Sequence, residues 1–242
     1  MKPDREAFTP AERRLLGRLR TPAAVQHWLN NLPYNREVGG ETLRSFRGVA
    51  RHRTAHCLEA ALAAAAILEQ HGYPPLVLSF ESVDKLDHVL FVYRQGGRWG
   101  SVARSRDPGL HGRQPVFHTA RALALSYVAP YVDFTGRILA YAVADLEREL
   151  DGYDWRLSDR QVWKAEQMLI DFPHRAIRTS DARIERWRRW YYRFRREHPG
   201  QKPTWYPGRE RWTALPAEFA RWDRNHTGQS RSKSRSGRVT GS

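Results

Sequence analysis

The sequence predicts an α+β fold on three observations. An alanine-rich stretch, Leu58 to Leu68, has the composition of a close-packed central helix. Two apolar runs, Leu76 to Phe80 and Asp87 to Arg94, have strand length. Gln95-Gly96-Gly97, a hairpin signal, joins the second to a third run, Arg98 to Ser105. Ile184, Trp187, Tyr191 and Phe194 then fall at helical three/four spacing late in the chain. At 242 residues the chain fits one large domain, or a domain with an extension, and can bury a real core.

Residues 1–20 read as a short charged helix or arm, with Leu15, Leu16 and Leu19 as its apolar side. Thr21-Pro22 starts a second helix that runs through Leu29 and is broken by Asn30 to Asn35. Gly39-Gly40 opens a loop toward Phe46, and Arg51-His52-Arg53 leads to Thr54, a good N-cap. Capping there makes Cys57 the third residue inside the alanine-rich helix, which His71-Gly72 stops before Pro74-Pro75. If Gly96-Gly97 form a two-residue turn, Gln95 faces Arg98 and, by the same count, His88 faces Ser105. Asp107 is then a diagonal cross-strand neighbour of His88 within side-chain reach. A slip of one residue would turn Asp107 to the other face.

Past Asp107-Pro108-Gly109, a loop over Leu110 to Val116 leads into a helix from Thr119 to Tyr127. Tyr131 to Phe134 and Ile138 to Val143 are apolar and expected extended, and Trp155 opens a helical segment that includes Trp163, Met168 and Ile170. A last helix starts at Asp181 and ends at Pro199-Gly200. The expected organisation is a domain over residues 1–173, a basic aromatic helical extension over 174–224, and a disordered Ser/Gly/Arg/Lys tail over 225–242.

The net charge of +15 is uneven: eighteen Lys and Arg against six Asp and Glu lie from His174 to Ser242, leaving only +3 for the rest. Any polyanion partner is therefore expected at the C-terminal third. There Arg183, Arg186, Arg188, Arg189, Arg193, Arg195 and Arg196 interleave with Trp187, Trp190, Tyr191, Tyr192 and Phe194. Guanidinium groups neutralise phosphates and aromatic rings stack on unpaired bases. The same spacing also describes an amphipathic helix that buries Ile184, Trp187, Tyr191 and Phe194 and leaves its arginines solvated.

One cysteine excludes an internal disulfide and a zinc site built on two cysteines, and suits a reducing cytosol. The charged start lacks a signal-peptide core, and no apolar run reaches the roughly 18 residues of a membrane span. A cytoplasmic, membrane-free protein is the expectation. His52, His111 and His118 are scattered, with no His-Glu-x-x-His spacing, and Gly96-Gly97 is in the wrong context for a phosphate loop. No metal or cofactor is expected.

The chemistry centres on Cys57. A thiol in the first helical turn meets the positive end of the helix dipole, which favours thiolate. His88 at the start of a strand and the carboxylate of Asp107 complete the parts of a thiol acyl-transfer site. His56 is adjacent, but neighbouring helical residues point in different directions, so it reads as a polar helix-start residue. The competing reading makes Cys57 a small buried hydrophobe.

Three segments in order carry a resemblance: Thr54-Ala55-His56-Cys57, Asp87-His88-Val89-Leu90-Phe91-Val92-Tyr93, and Gly97-Arg98-Trp99-Gly100-Ser101-Val102. Over residues 45–110 the chain resembles the transglutaminase-like, papain-like cysteine superfamily. The resemblance implies a cysteine-bearing helix packed on an antiparallel sheet, here with a basic helical C-terminal extension. It implies Cys57 as nucleophile, His88 as base, and a peptide or amide substrate. The product would be a thioester, passed to water by a hydrolase or to an amine by an acyltransferase. The family's carboxylate usually comes about four residues after the strand tryptophan; Ala103 stands there. Asp107 is the displaced candidate, and Ser101 and Ser105 are hydroxyl alternatives. An inactive relative would instead be a binding module that holds nucleic acid or an acidic partner through its basic segment.

Overall fold

The amino-terminal helices begin where the sequence supplies side-chain caps. Thr9 and Glu12 form a reciprocal capping box at α1 (Pro10–Arg18), and Thr21 caps α2 (Pro22–Asn30). Ser45 caps α3 (Phe46–His52), which the sequence hid because it is two turns long with Gly48 inside it. A computed structural model describes residues 2–83 and 88–201. In order come α4 (Cys57–Glu69), β1 (Leu76–Ser82), β2 (Val89–Gln95), β3 (Arg98–Val102), β4 (Arg113–Phe117), α5 (Ala120–Tyr131), β5 (Ile138–Asp145), α6 (Leu146–Glu149), α7 (Trp163–Asp171), β6 (Arg175–Ala176) and α8 (Asp181–Glu197). The fold is α+β: six strands form one antiparallel sheet in the order β4-β3-β2-β1-β5-β6.

Both sheet faces are covered, which explains why β1 and β2 read as continuous apolar runs instead of alternating ones. Val77, Val89, Phe91, Tyr93 and Val102 share one core with α1 to α4, α6 and α7. Leu78, Phe80, Leu90, Val92 and Ala103 share the other with Leu123 and Tyr127 of α5. Helix α4 crosses the first face. Ala60, Ala61 and Ala63 to Ala66 are fully buried, so the helix is apolar on all sides and has no solvent face to mark its period. Gly72, with φ of 87°, ends the turn after it.

The β2–β3 hairpin has the expected register, from Gln95↔Arg98 to Phe91↔Val102. Gly96 and Gly97 both take positive φ, as a tight hairpin turn requires. Pairing stops at Val102. The side-chain amide of Gln26 on α2 donates to Ala103 O and accepts from Ala103 N, both within 2.9 Å, and so replaces a neighbouring strand. The chain turns away there, and the His88–Ser105 pairing extrapolated from the hairpin is not formed. It returns as β4 along the outer edge of β3, where the sequence suggested a loop.

Other expectations shift as well. Helix α4 starts at Cys57 with His56 as its N-cap, while the Thr54 hydroxyl accepts from Arg44. Tyr131 ends α5 and does not start a strand. The helical segment begins at Trp163, because Trp155 is buried in an irregular stretch. β6 pairs with β5 at Ala140↔Ala176, so the sheet continues past residue 173. Helix α8 docks through Ile184 and Tyr191, with Phe134 edge-on to Tyr191 at 5.1 Å. Asp87, the end of the expected extension and the expected tail at 225–242 lie outside the described residues. No helix among the described residues is long and apolar enough to cross a membrane.

Candidate active site

The first turn of α4 is held by a carboxylate inside the protein. Glu59 is fully buried and accepts four hydrogen bonds: from Asn35 Nδ2 at 3.0 Å, Thr42 Oγ1 at 3.0 Å, Arg44 N at 3.1 Å and His56 N at 3.1 Å. Each carboxylate oxygen takes two donors, which satisfies a group that would otherwise be costly to bury. Residues 35–44 are thereby tied to the helix start. His56 is extended, with φ −88° and ψ −176°. Its side chain is therefore not bound by the divergence of neighbouring helical residues. The ring folds beside the sulfur, hydrogen-bonds the Cys57 thiol, and is held from behind by Thr42 O, 2.9 Å from Nε2.

His88 approaches Cys57 from β2 and also hydrogen-bonds the thiol. Its ring is buried, stacked on Phe80 and tilted against Tyr127. Nε2 lies 2.8 Å from the carbonyl oxygen of Leu110, which can only accept, so Nε2 carries the proton and Nδ1 is left to the sulfur. Both ring nitrogens are thus committed, and a main-chain carbonyl takes the orienting role expected of a carboxylate or serine. Asp107 opens the turn that delivers this carbonyl, its own O accepting from Leu110 N at 2.9 Å. Ser105 Oγ accepts from Asp107 N at 3.1 Å, and Ser101 Oγ bonds Tyr127 Oη and Arg113 N.

That turn is clamped on several sides. The buried Arg113 guanidinium donates to Gly109 O at 2.7 Å and His111 O at 2.5 Å, and lies over the Tyr127 ring. Tyr127 Oη donates to His111 O at 3.0 Å. Gly112 permits the close approach: a Cβ there would meet Gln26 Oε1 at 2.1 Å and Ser101 O at 2.4 Å. Gly112→Ala is expected to lower stability by about 1–3 kcal/mol, the scale of overpacking a core, and to displace the Leu110 carbonyl from His88. Thermal unfolding measures the first effect, and the pH profile of Cys57 alkylation measures the second. An unchanged profile would show that the turn does not act on the thiol.

Tyr34 completes the surroundings. Pro33 to Asn35 pair with Ala55 just before the helix, which brings the phenol to Cys57. Burial raises its pKa, the Cys57 charge raises it further, and a hydrogen bond from the Cys57 backbone N–H acts in the opposite direction. For Cys57, burial pushes the thiol up, but hydrogen bonds from His56 and His88 and the charge on those rings outweigh it, bringing it down to about 5. For His56, burial pushes the imidazole down, while the Cys57 hydrogen bond and charge, Glu59 and the Thr42 carbonyl raise it to about 9. The half-buried Cys57 thus carries a thiolate next to an imidazolium across neutral pH.

No protein-family model and no curated protein matches this chain. The site therefore has to be read from its own geometry. The structure brings Cys57 and His88 together. It adds His56, which by sequence reads as a polar helix-start residue, and Tyr34 and Glu59, which carry no expectation from the sequence. Glu59 had a signal: it stands at the third helical position, the capping-box spacing, and is followed by an apolar run from Ala60 to Leu68. The arginines of α8 reach other groups, Thr135, Glu185, Trp187 and Tyr191. Among the described residues, no three His, Cys, Asp or Glu side chains are grouped to hold a metal ion.

Proposed function

We propose that the protein is a transglutaminase-like thiol acyl-transferase or amide hydrolase with Cys57 as nucleophile and His88 as base. The observation that carries this reading is a helix-start thiol bracketed by two imidazoles, one of them oriented through its far nitrogen. The order of cysteine helix, histidine strand and tryptophan strand supports placing it near the papain-like fold.

The steps follow from the groups present. The Cys57 sulfur attacks the carbonyl carbon of an amide or ester, and the C=O electron pair moves onto oxygen. The Tyr34 hydroxyl, which accepts from Cys57 N–H and is so held beside the sulfur, is the donor such an oxyanion needs. Collapse re-forms C=O and breaks the bond to the leaving amine or alkoxide, which takes the proton that the Cys57 thiol passed to His88 Nδ1. The product is a thioester on Cys57. His88, now neutral, removes a proton from water or an amine as that nucleophile attacks, and thiolate leaves. Asp107 contributes by opening the turn that ends in the Leu110 carbonyl.

An activated ester, p-nitrophenyl acetate, tests this. The full-length chain is expected to release a burst of nitrophenolate equal to the concentration of chains, and Cys57→Ala to release none. Tyr34→Phe should slow the burst by roughly 10²- to 10³-fold, the usual effect of removing one oxyanion donor. Its alkylation by iodoacetamide, which forms no oxyanion, should continue. An intact thiol that gives no burst would refute the proposal.

A further inference from the structure

Helix α8 presents two different sides. Ile184 and Tyr191 face the body of the protein and account for its docking. An amphipathic helix with no further role would put its remaining aromatic residues on that side as well. Trp187 is half-buried at the edge of that side, and from it Trp190, Phe194 and His198 run along a flank. Trp190 and Phe194 have ring centroids 5.7 Å apart, and Phe194 and His198 lie 4.6 Å apart. At 1.5 Å per residue, Trp187 to Phe194 span about 10 Å, and His198 follows just past the helix end.

Arginines border the row. Arg183, Arg186, Arg189 and Arg193 are exposed and, with Trp187 and Trp190, line a groove of about 600 Å³. Arg183 sits 5.7 Å from the Trp187 ring centre. Arg189 meets Glu185 at 3.9 Å, but both side chains are exposed and such a pair is weak. Arg196 extends the charge by one more turn and is also exposed. A row of π-faces bounded by guanidinium groups has the chemistry of a platform for unpaired bases, with phosphates tracking the arginines. A duplex would offer the phosphates but keep its bases stacked on one another. An acidic peptide would use the arginines and leave the tryptophans unengaged.

We propose that the Trp187–His198 flank of α8 binds single-stranded nucleic acid. This stands apart from the acyl-transfer reading, since Cys57 takes no part in it. The test is fluorescence anisotropy of fluorescein-labelled oligo(dT), oligo(U) and a duplex of equal length, titrated with the full-length Cys57→Ala chain at about 50 and 200 mM salt, a range over which phosphate contacts weaken strongly. Both single strands are expected to bind more tightly than the duplex. Trp190→Ala should weaken them roughly 5- to 150-fold, the effect of one stacked base. Arg186→Ala/Arg189→Ala/Arg193→Ala should flatten the log–log salt dependence by about 2, at roughly 0.7 per phosphate. Circular dichroism, and the same changes made in the chain that retains Cys57 with its alkylation rate followed, establish that the variants fold.

Three outcomes would overturn the proposal. One is equal affinity for duplex and single strand. Another is unchanged binding in Trp190→Ala with loss in Arg231→Ser/Lys233→Ser/Arg235→Ser/Arg238→Ser, which assigns the affinity to tail charge alone. The third is binding to vesicles rich in anionic lipid without binding to either oligonucleotide.

Discussion

At pH 6 the Cys57 thiol is expected to react with iodoacetamide about ten times faster than a cysteine of ordinary pKa in an unstructured peptide. A thiol brought down to about 5 is mostly thiolate at that pH, whereas one at about 9 is roughly 0.1% thiolate. That is a difference of nearly a thousandfold in the reactive form. Lower basicity takes back part of it, because nucleophilicity falls with a Brønsted slope of about 0.4–0.5, or roughly 40- to 100-fold over four units. At pH 7 the two effects nearly cancel, so a comparison at neutral pH is uninformative and the profile decides. The rate should fall tenfold per unit below pH 5 and stay flat above it, while the peptide's rate climbs toward pH 9. A second change is expected near 9, where His56 loses its proton and its positive charge no longer favours the thiolate. His56→Gln should move the lower limb upward. A single limb near 9 in the native chain would refute the activated thiol.

The largest loss of turnover from a change outside the nucleophile is expected for His88→Ala: about 10²- to 10⁴-fold in the acylation of p-nitrophenyl acetate, the usual contribution of a positioned acid–base group. Alkylation of the same variant at pH 9 or above should be nearly normal, since a thiol of any origin is substantially ionised there. The substitution also removes a ring packed between Phe80 and Tyr127 and strands the Leu110 carbonyl, which costs about 1–3 kcal/mol. Thermal unfolding separates that cost from the chemistry. Added imidazole, which can enter the space left by the ring, should restore part of the burst. A variant that acylates as fast as the native chain would remove His88 from the mechanism.

The parts legible in the sequence are those set by local rules. The hairpin register follows from two glycines, and the alanine-rich segment could only be a buried helix. Cys57 and His88 could be paired on paper because their side chains carry chemistry that few residue types share. What could not be read depends on the path of the chain in space. Leu110 acts through its backbone, so no residue name announces it, and its position rests on Gln26, Gly112 and Arg113, which come from separate segments. The rule for helical neighbours does not reach His56, which stands one step outside the helix in extended backbone. Extending the hairpin arithmetic to Asp107 failed where Gln26 captures Ala103, a contact 77 residues apart in sequence. Tyr34 lies in a stretch readable only as a helix breaker, and its role comes from pairing with Ala55.

The hydrogen bond from His88 to the Leu110 carbonyl also bears on how this chain can vary over generations. A carboxylate in that position is erased by one nucleotide change, and the orientation of the ring is lost in a single step. A carbonyl of the main chain survives every substitution at residue 110, so the genetic target shifts to the residues that steer the backbone. Drift at Leu110 should therefore be tolerated far more widely than drift at Gly112 or Arg113, and a mutational scan of the turn, read by the pH profile of Cys57 alkylation, would trace the dependence through positions whose side chains never meet the thiol.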